Sequence, residues 1–285
     1  QLEEPEQPEE PEQPEEPEQS EDPEQSEEPE DPEAYELWPE LLFGDEPEWE
    51  IEEWELEGLE EATYNFMFQV DTVWETYGDT MIIAVRNAAT MMAAVNTIDS
   101  LGEGRYIIAL ASDVVLPASG DGLRFTCGDT VILGCGHTLY IEPADGADGC
   151  IVIEGADTAV SLGSGVIGDE LVIAGMRPEF DEDYPSLITV VDGRLDLYDG
   201  TTVCDHAAGH GFGGAIRIES GLVRMFGGAI RDCGVIGYDD VYGGGVGAAW
   251  GGSFYMFGGA ITDCYAVSAQ GTSFGGGIAA VLSEQ

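Results

Sequence analysis

The chain has 285 residues, 43% of them apolar, and a formal net charge of −50 from 58 acids against 8 basic residues, every one an arginine. Nucleic acid is excluded as an expected partner, because phosphate binding needs clustered cations. Without lysine there is also no P-loop or Schiff-base chemistry, and no apolar run reaches the roughly 18 residues that would suggest membrane insertion within this chain.

Residues 1–61 hold 29 of the 58 acids, 10 of the 14 prolines and no basic residue. The Glu-Pro and Gln-Pro units forbid helix and repel one another, so a disordered, extended acidic Pro-rich spacer is expected, rising roughly 3.1 Å per residue. From Tyr35 to Glu61 the acids are interrupted by Trp38, Leu41, Leu42, Phe43, Trp49, Trp54 and Leu59, either a solvated linker or an amphipathic segment that docks elsewhere. Residues 62–285 are expected to fold, beginning near Tyr64. The chain opens on Gln1 with no charged-then-apolar leader and reads as a mature protein or a fragment.

Thr80–Val85 predicts a buried strand. Asn87 is positioned to cap a helix over Ala88–Leu101 that Gly102 and Gly104 stop, with Met91, Ala94, Val95 and Ile98 on one face. Short β-type runs follow at 106–110, 114–116, 130–133, 139–141, 151–153, 159–162 and 171–173, separated by Gly, Asp, Ala or Ser.

The C-terminal third repeats itself. Gly213-Gly214-Ala215-Ile216, Gly227-Gly228-Ala229-Ile230 and Gly258-Gly259-Ala260-Ile261 are near-copies, and Gly221 to Cys233 returns as Gly252 to Cys264 at an offset of 31 residues. A degenerate earlier copy runs from Gly193 to Cys204, and a truncated later one begins at Gly275-Gly276-Gly277-Ile278. Such a period marks a solenoid. One turn divides into three short strands, 215–218, 222–226 and 229–233, which predicts an all-β parallel solenoid of about 30 residues per coil with like residues stacked on like. Leu197, Met225 and Met256 should form one inward ladder, and Cys204, Cys233 and Cys264 another. The helix near 88–101 would cap the first coil. After Val281 a new coil has barely started, so a longer array or another chain is expected to cover that end.

At these residues the chain resembles right-handed parallel β-helix proteins of the pectate-lyase-like superfamily, most of all the Gly-rich repeats of bacterial and archaeal adhesin-like surface proteins. The GGAI phrase is also similar to repeats of chlamydial polymorphic outer-membrane proteins. The resemblance covers about residues 190–281, extends more weakly over 80–190, and departs where family repeats often carry Asn and this chain carries Cys204, Cys233 and Cys264. It implies a secreted or cell-surface location.

Gly209-His210-Gly211 is similar to a motif of β-helical polygalacturonases, but here it precedes Asp239-Asp240 and no Asn-Thr-Asp exists, so no catalytic residue is assigned. Asp181, Glu182, Asp183 and the pair Asp239-Asp240 are acidic enough to attract Ca²⁺, although solvated loops are the simpler reading; no metal site or cofactor is assigned. Cys204, Cys233 and Cys264 are expected as buried free thiols, while one pair among Cys127, Cys135 and Cys150 has the option of a bridge. Of the late aromatics, Phe254 is expected in the core, with Trp250 and Tyr255 as ligand contacts.

The leading functional expectation is a non-catalytic extracellular module for adhesion to, or recognition of, glycan or a host or neighbour protein. The alternatives are a polysaccharide lyase or glycoside hydrolase of pectate-lyase-like fold, and a purely structural spacer. The sequence sets no oligomeric state.

Overall fold

A computed structural model describes residues 73–281 except 78, 119–121, 145–146, 167, 177–183 and 210. The expected spacer 1–61, the acidic residues Asp181, Glu182 and Asp183, and His210 lie outside the described residues.

Three sheets of eight, seven and six strands run the length of the fold, their members joined almost throughout in parallel register; from Arg105 on each coil contributes one strand to each sheet, except that the last gives two, Ala260–Thr262 and Tyr265–Ser268, to the seven-stranded one. This is the arrangement of a parallel β-helix-like solenoid. We call them sheets A, B and C in the order the chain enters them in its last complete coils: A at Leu222–Met225, B at Ala229–Gly237 and C at Val246–Ala248. A two-stranded ribbon of Val241–Tyr242 and Ser273–Phe274 adds a fourth element beside sheet C.

Stacking follows the inward residues. In sheet A, Ile83, Ile108, Ile132, Leu162, Leu197, Met225 and Met256 occupy successive register positions. In sheet C the column is Leu123, Ile151, Ile188, Ile216, Val246 and Ile278. In sheet B it is Val114, Leu139, Ile173, Val203, Ile230 and Ile261. β-Branched and straight apolar side chains fit here because each rests on its counterpart about 4.8 Å away. Full burial of one such side chain contributes about 1.5–3 kcal/mol.

Along sheet A, successive coils begin at Arg105, Asp129, Ala159, Arg194, Leu222 and Ser253, steps of 24, 30, 35, 28 and 31 residues. The unequal early steps place the extra length in loops and explain why the first coils show no repeat in their text.

The helix forms where expected, Ala88–Leu101. Thr90 N–H donates to Asn87 Oδ1 (3.0 Å) and Asn87 N–H donates to Thr90 Oγ1 (3.1 Å), so a threonine closes the capping box that Glu or Gln usually completes. Gly102 ends it at φ 84°. Met91, Ala94, Val95 and Ile98 are buried and belong to the same core as the inward columns.

As the placing of 215–218 and 229–233 on different strands of one turn requires, the GGAI phrases serve two corners: Gly213–Ile216 leads into sheet C, whereas Gly227–Ile230 and Gly258–Ile261 lead into sheet B. Two expectations change. First, Val73–Tyr77 pairs antiparallel with Thr80–Val85, a hairpin not foreseen, and the three-residue strands Leu123–Phe125 and Ile188–Val190 also escaped notice. Second, Cys204 does not sit on Cys233. Cys204 pairs with Arg231, and His206 pairs with Cys233. The reason is local: Asp205, Asp232 and Asp263 all adopt positive φ (56°, 56° and 54°), so these bend residues set the register; Cys204 precedes its bend, whereas Cys233 and Cys264 follow theirs and keep the expected register.

Candidate ligand-recognition surface

Two columns of aromatic rings run up the outside of the last three coils. Every ring but Tyr198, which is followed by Asp199-Gly200, precedes a glycine pair, because the chain turns a corner there and throws the preceding side chain outward. In the first column Tyr198 stacks on Phe226 at 5.3 Å between centroids, and Phe226 on Phe257 at 5.2 Å. In the second, Phe212 stacks on Tyr242 at 4.7 Å and Tyr242 on Phe274 at 4.8 Å, planes within 10°. The spacings match the strand spacing, so the backbone repeat itself imposes the stacking. At the sheet C corner, Gly213, Gly243 and Gly275 hold positive φ (68°, 66° and 59°) directly after these rings. A side chain at Gly213 would run into the backbone carbonyl of Ile216.

One cation sits against the first column and another against Trp250, beside the second. The Arg224 guanidinium lies 5.1 Å from the Phe226 centroid and donates two bonds to Asp196, Nε to Oδ1 at 2.8 Å and Nη2 to Oδ2 at 2.7 Å. Arg194 approaches the same carboxylate at 3.2 Å, and Asp196, though on the outer side of its strand, is buried beneath the two arginines. Arg217 lies 5.4 Å from the Trp250 centroid and pairs with Glu219 at 2.9 Å.

Of the two aromatics expected to contact ligand, Trp250 is 51% exposed and Tyr255 37%. They belong to different groups: Trp250 tilts against Phe212 at 5.7 Å, while Tyr255 stacks on Phe257 at 6.5 Å. Phe254 packs partly buried against the core, as expected. The arginines and the columns themselves went unnoticed in the sequence, although the recurring aromatic-Gly-Gly string was a usable signal.

Asp240 is engaged within the fold: Thr272 N–H donates to its Oδ1 at 2.6 Å and the Tyr242 hydroxyl approaches its Oδ2 at 3.4 Å. The Asp239 backbone carbonyl accepts from the Ser268 hydroxyl at 2.7 Å. These two residues therefore tie neighbouring loops together. Among the described residues no three His, Cys, Asp or Glu side chains converge as a metal site.

All six cysteines are free thiols. Burial pushes the Cys150, Cys204 and Cys233 thiols up to about 12 and Cys135 up to about 11, so these sulfurs are held as unreactive thiols. His206 is buried, with Nε2 2.8 Å from the Pro185 carbonyl and Nδ1 accepting from Met176 N–H at 3.4 Å; burial lowers its pKa to about 4. It is a neutral structural tie between the two ends of the 176–185 segment. A cavity of about 220 Å³ beside the helix start is lined mainly by Ala88, Met92, Leu116, Leu123, Ile141 and Cys150, without converging polar groups.

Among the described residues no helix is long and apolar enough to cross a membrane. Compared with protein-family models, curated proteins and solved structures, the chain matches none.

Proposed function

We propose that this chain is the displayed part of an extracellular or cell-surface recognition module, adhesin-like and non-catalytic, that binds glycan or a protein on another surface. In this reading the solenoid is a right-handed β-helix of the pectate-lyase-like kind, the helix Ala88–Leu101 is its end cap, and residues 1–61 are an anionic spacer carrying it away from its anchor. The observation that supports the reading best is the pair of external aromatic columns. Stability asks for apolar stacking inside a solenoid; outside, the same rings remain partly open to solvent, with Phe257 55% exposed. Aromatic side chains with arginine beside them are the residues that dominate recognition surfaces.

The test is a glycan array together with a cell-adhesion assay, run with the full chain. Binding that weakens when Phe226 and Phe257 are both replaced by serine supports the reading. Absence of binding at concentrations where control adhesins bind contradicts it.

A further inference from the structure

The corner between sheets C and A is not the same in every coil. Between the paired positions Val190 and Arg194, and again between Ile218 and Leu222, the chain spends three residues; between Ala248 and Ser253 it spends four. The additional residue builds a tight reverse turn, Ala249-Trp250-Gly251-Gly252, closed by Gly252 N–H donating to the Ala249 carbonyl at 2.9 Å. Both central residues have positive φ, 51° for Trp250 and 108° for Gly251. Turns of this hand favour Asn-Gly, because a bulky side chain at positive φ strains the backbone. Tryptophan is thus the wrong residue for the turn, and burial does not compensate, since half of it faces solvent. The earlier coils carry Asp192 and Ser220 before their corner glycine, residues without such a ring.

What surrounds the indole is arranged. Phe212 braces it at 57°, and the Arg217 guanidinium lies over the ring, itself fixed by Glu219. Beyond Gly251 the space is open: a side chain added there would meet nothing within 4 Å. An indole half open to solvent, with Phe212 tilted against it and a carboxylate-paired guanidinium 5.4 Å from its centroid, matches one class of ligand, a pyranose. The sugar's C–H face lies on the exposed part of the indole, and its hydroxyls take bonds from the arginine and give them to the carboxylate. Because Glu219 neutralises Arg217 locally, and the chain as a whole is strongly anionic, an acidic saccharide is disfavoured.

We propose that Trp250, Arg217 and Glu219 form a subsite for a neutral pyranose residue. The inference deepens the recognition reading above and rests on it only for its biological setting. The experiment is an NMR titration of the full chain, following the Trp250 indole N–H, with neutral methyl glycosides and short neutral oligosaccharides, and with an oligouronate for contrast. The expected result is a saturable Trp250 shift with neutral sugars, in the millimolar range typical of a single small ring, and about tenfold weaker binding in Arg217→Gln. Trp250→Asn should lose the shift-linked binding and yet melt at a higher temperature, an outcome a structural role for the ring forbids.

No Trp250 shift up to about 50 mM of any neutral sugar overturns the subsite. So does equal or stronger response to the oligouronate, response only to a protein ligand, or a lowered melting temperature in Trp250→Asn. If the subsite fails while arrays and cells still show adhesion, the wider reading stands and the contact lies elsewhere.

Discussion

The two ends of the solenoid are built from the same kinds of residue and meet different surroundings. At one end Ile83 and Ile108 begin the sheet A column fully buried, and Met91, Ala94, Val95 and Ile98 of the helix close the core beside them. At the other, Met256 and Ile278 complete the sheet A and sheet C columns and are 43% and 44% exposed. Met225, one coil earlier and in direct register with Met256, is completely buried. Position in the repeat therefore decides direction, but only a neighbouring layer decides burial. A solenoid residue is worth what lies on both sides of it.

The sharpest way to break that comparison is to truncate the two methionines separately. Met225→Ala should cost about 3 kcal/mol in urea unfolding, through lost transfer energy and a cavity, whereas Met256→Ala should cost less than about 1 kcal/mol. Equal losses would mean that the last coil is covered as fully as the one before it.

A second contrast sets the interior of sheet B against solvent. His206 is neutral in the fold, with a pKa lowered from 6.5 to about 4, so the unfolded chain binds more protons between those values. Its contribution is complete above about pH 6.5 and is lost as the pH falls toward about 4, with a limiting slope of about 1.4 kcal/mol per pH unit. Asp205 and Cys233 flank the ring position. Comparison with His206→Gln isolates the effect from the carboxylates, and an unchanged slope in that variant would refute it.

The helix-covered end offers a smaller test. Asn87→Ala removes the cap acceptor and should cost about 1 kcal/mol, with Asn87→Asp or Asn87→Ser restoring most of it. The smallest effect has the opposite sign. The Thr130 hydroxyl is buried on the sheet A interior without a hydrogen-bond partner, so Thr130→Val should gain about 0.5–1 kcal/mol by removing an unsatisfied polar group.

Much of this architecture is legible in the last hundred residues, because identical phrases at offset 31 force in-register stacking, and the Leu197, Met225, Met256 ladder follows at once. The helix and its cap were equally readable, since Asn87, the apolar spacing and Gly102 agree. The three-residue strands Leu123–Phe125 and Ile188–Val190 were not, because Arg124 and Thr189 interrupt their apolar runs, unlike those at 114–116 and 151–153. Cys204 proved a false marker of register, whereas Cys233 and Cys264 keep the expected offset of 31. The rarity of cysteine draws the eye, but the bends at Asp205, Asp232 and Asp263 govern which residues pair. Of the recognition surface, Trp250 and Tyr255 were identifiable as late aromatics. Their separation into two groups depends on which corner each glycine pair turns, and the bracing of Trp250 by Arg217 joins residues 33 positions apart.

The stacking of like on like is tested most directly by methyl NOEs in a sample with labelled methionine methyl groups, assigned by single Met→Leu variants. Met225 and Met256 should exchange a strong cross-peak, while Met256 shows none to Met91 of the helix. A Met256–Met91 cross-peak, or no contact between Met225 and Met256, would contradict the coil-on-coil arrangement.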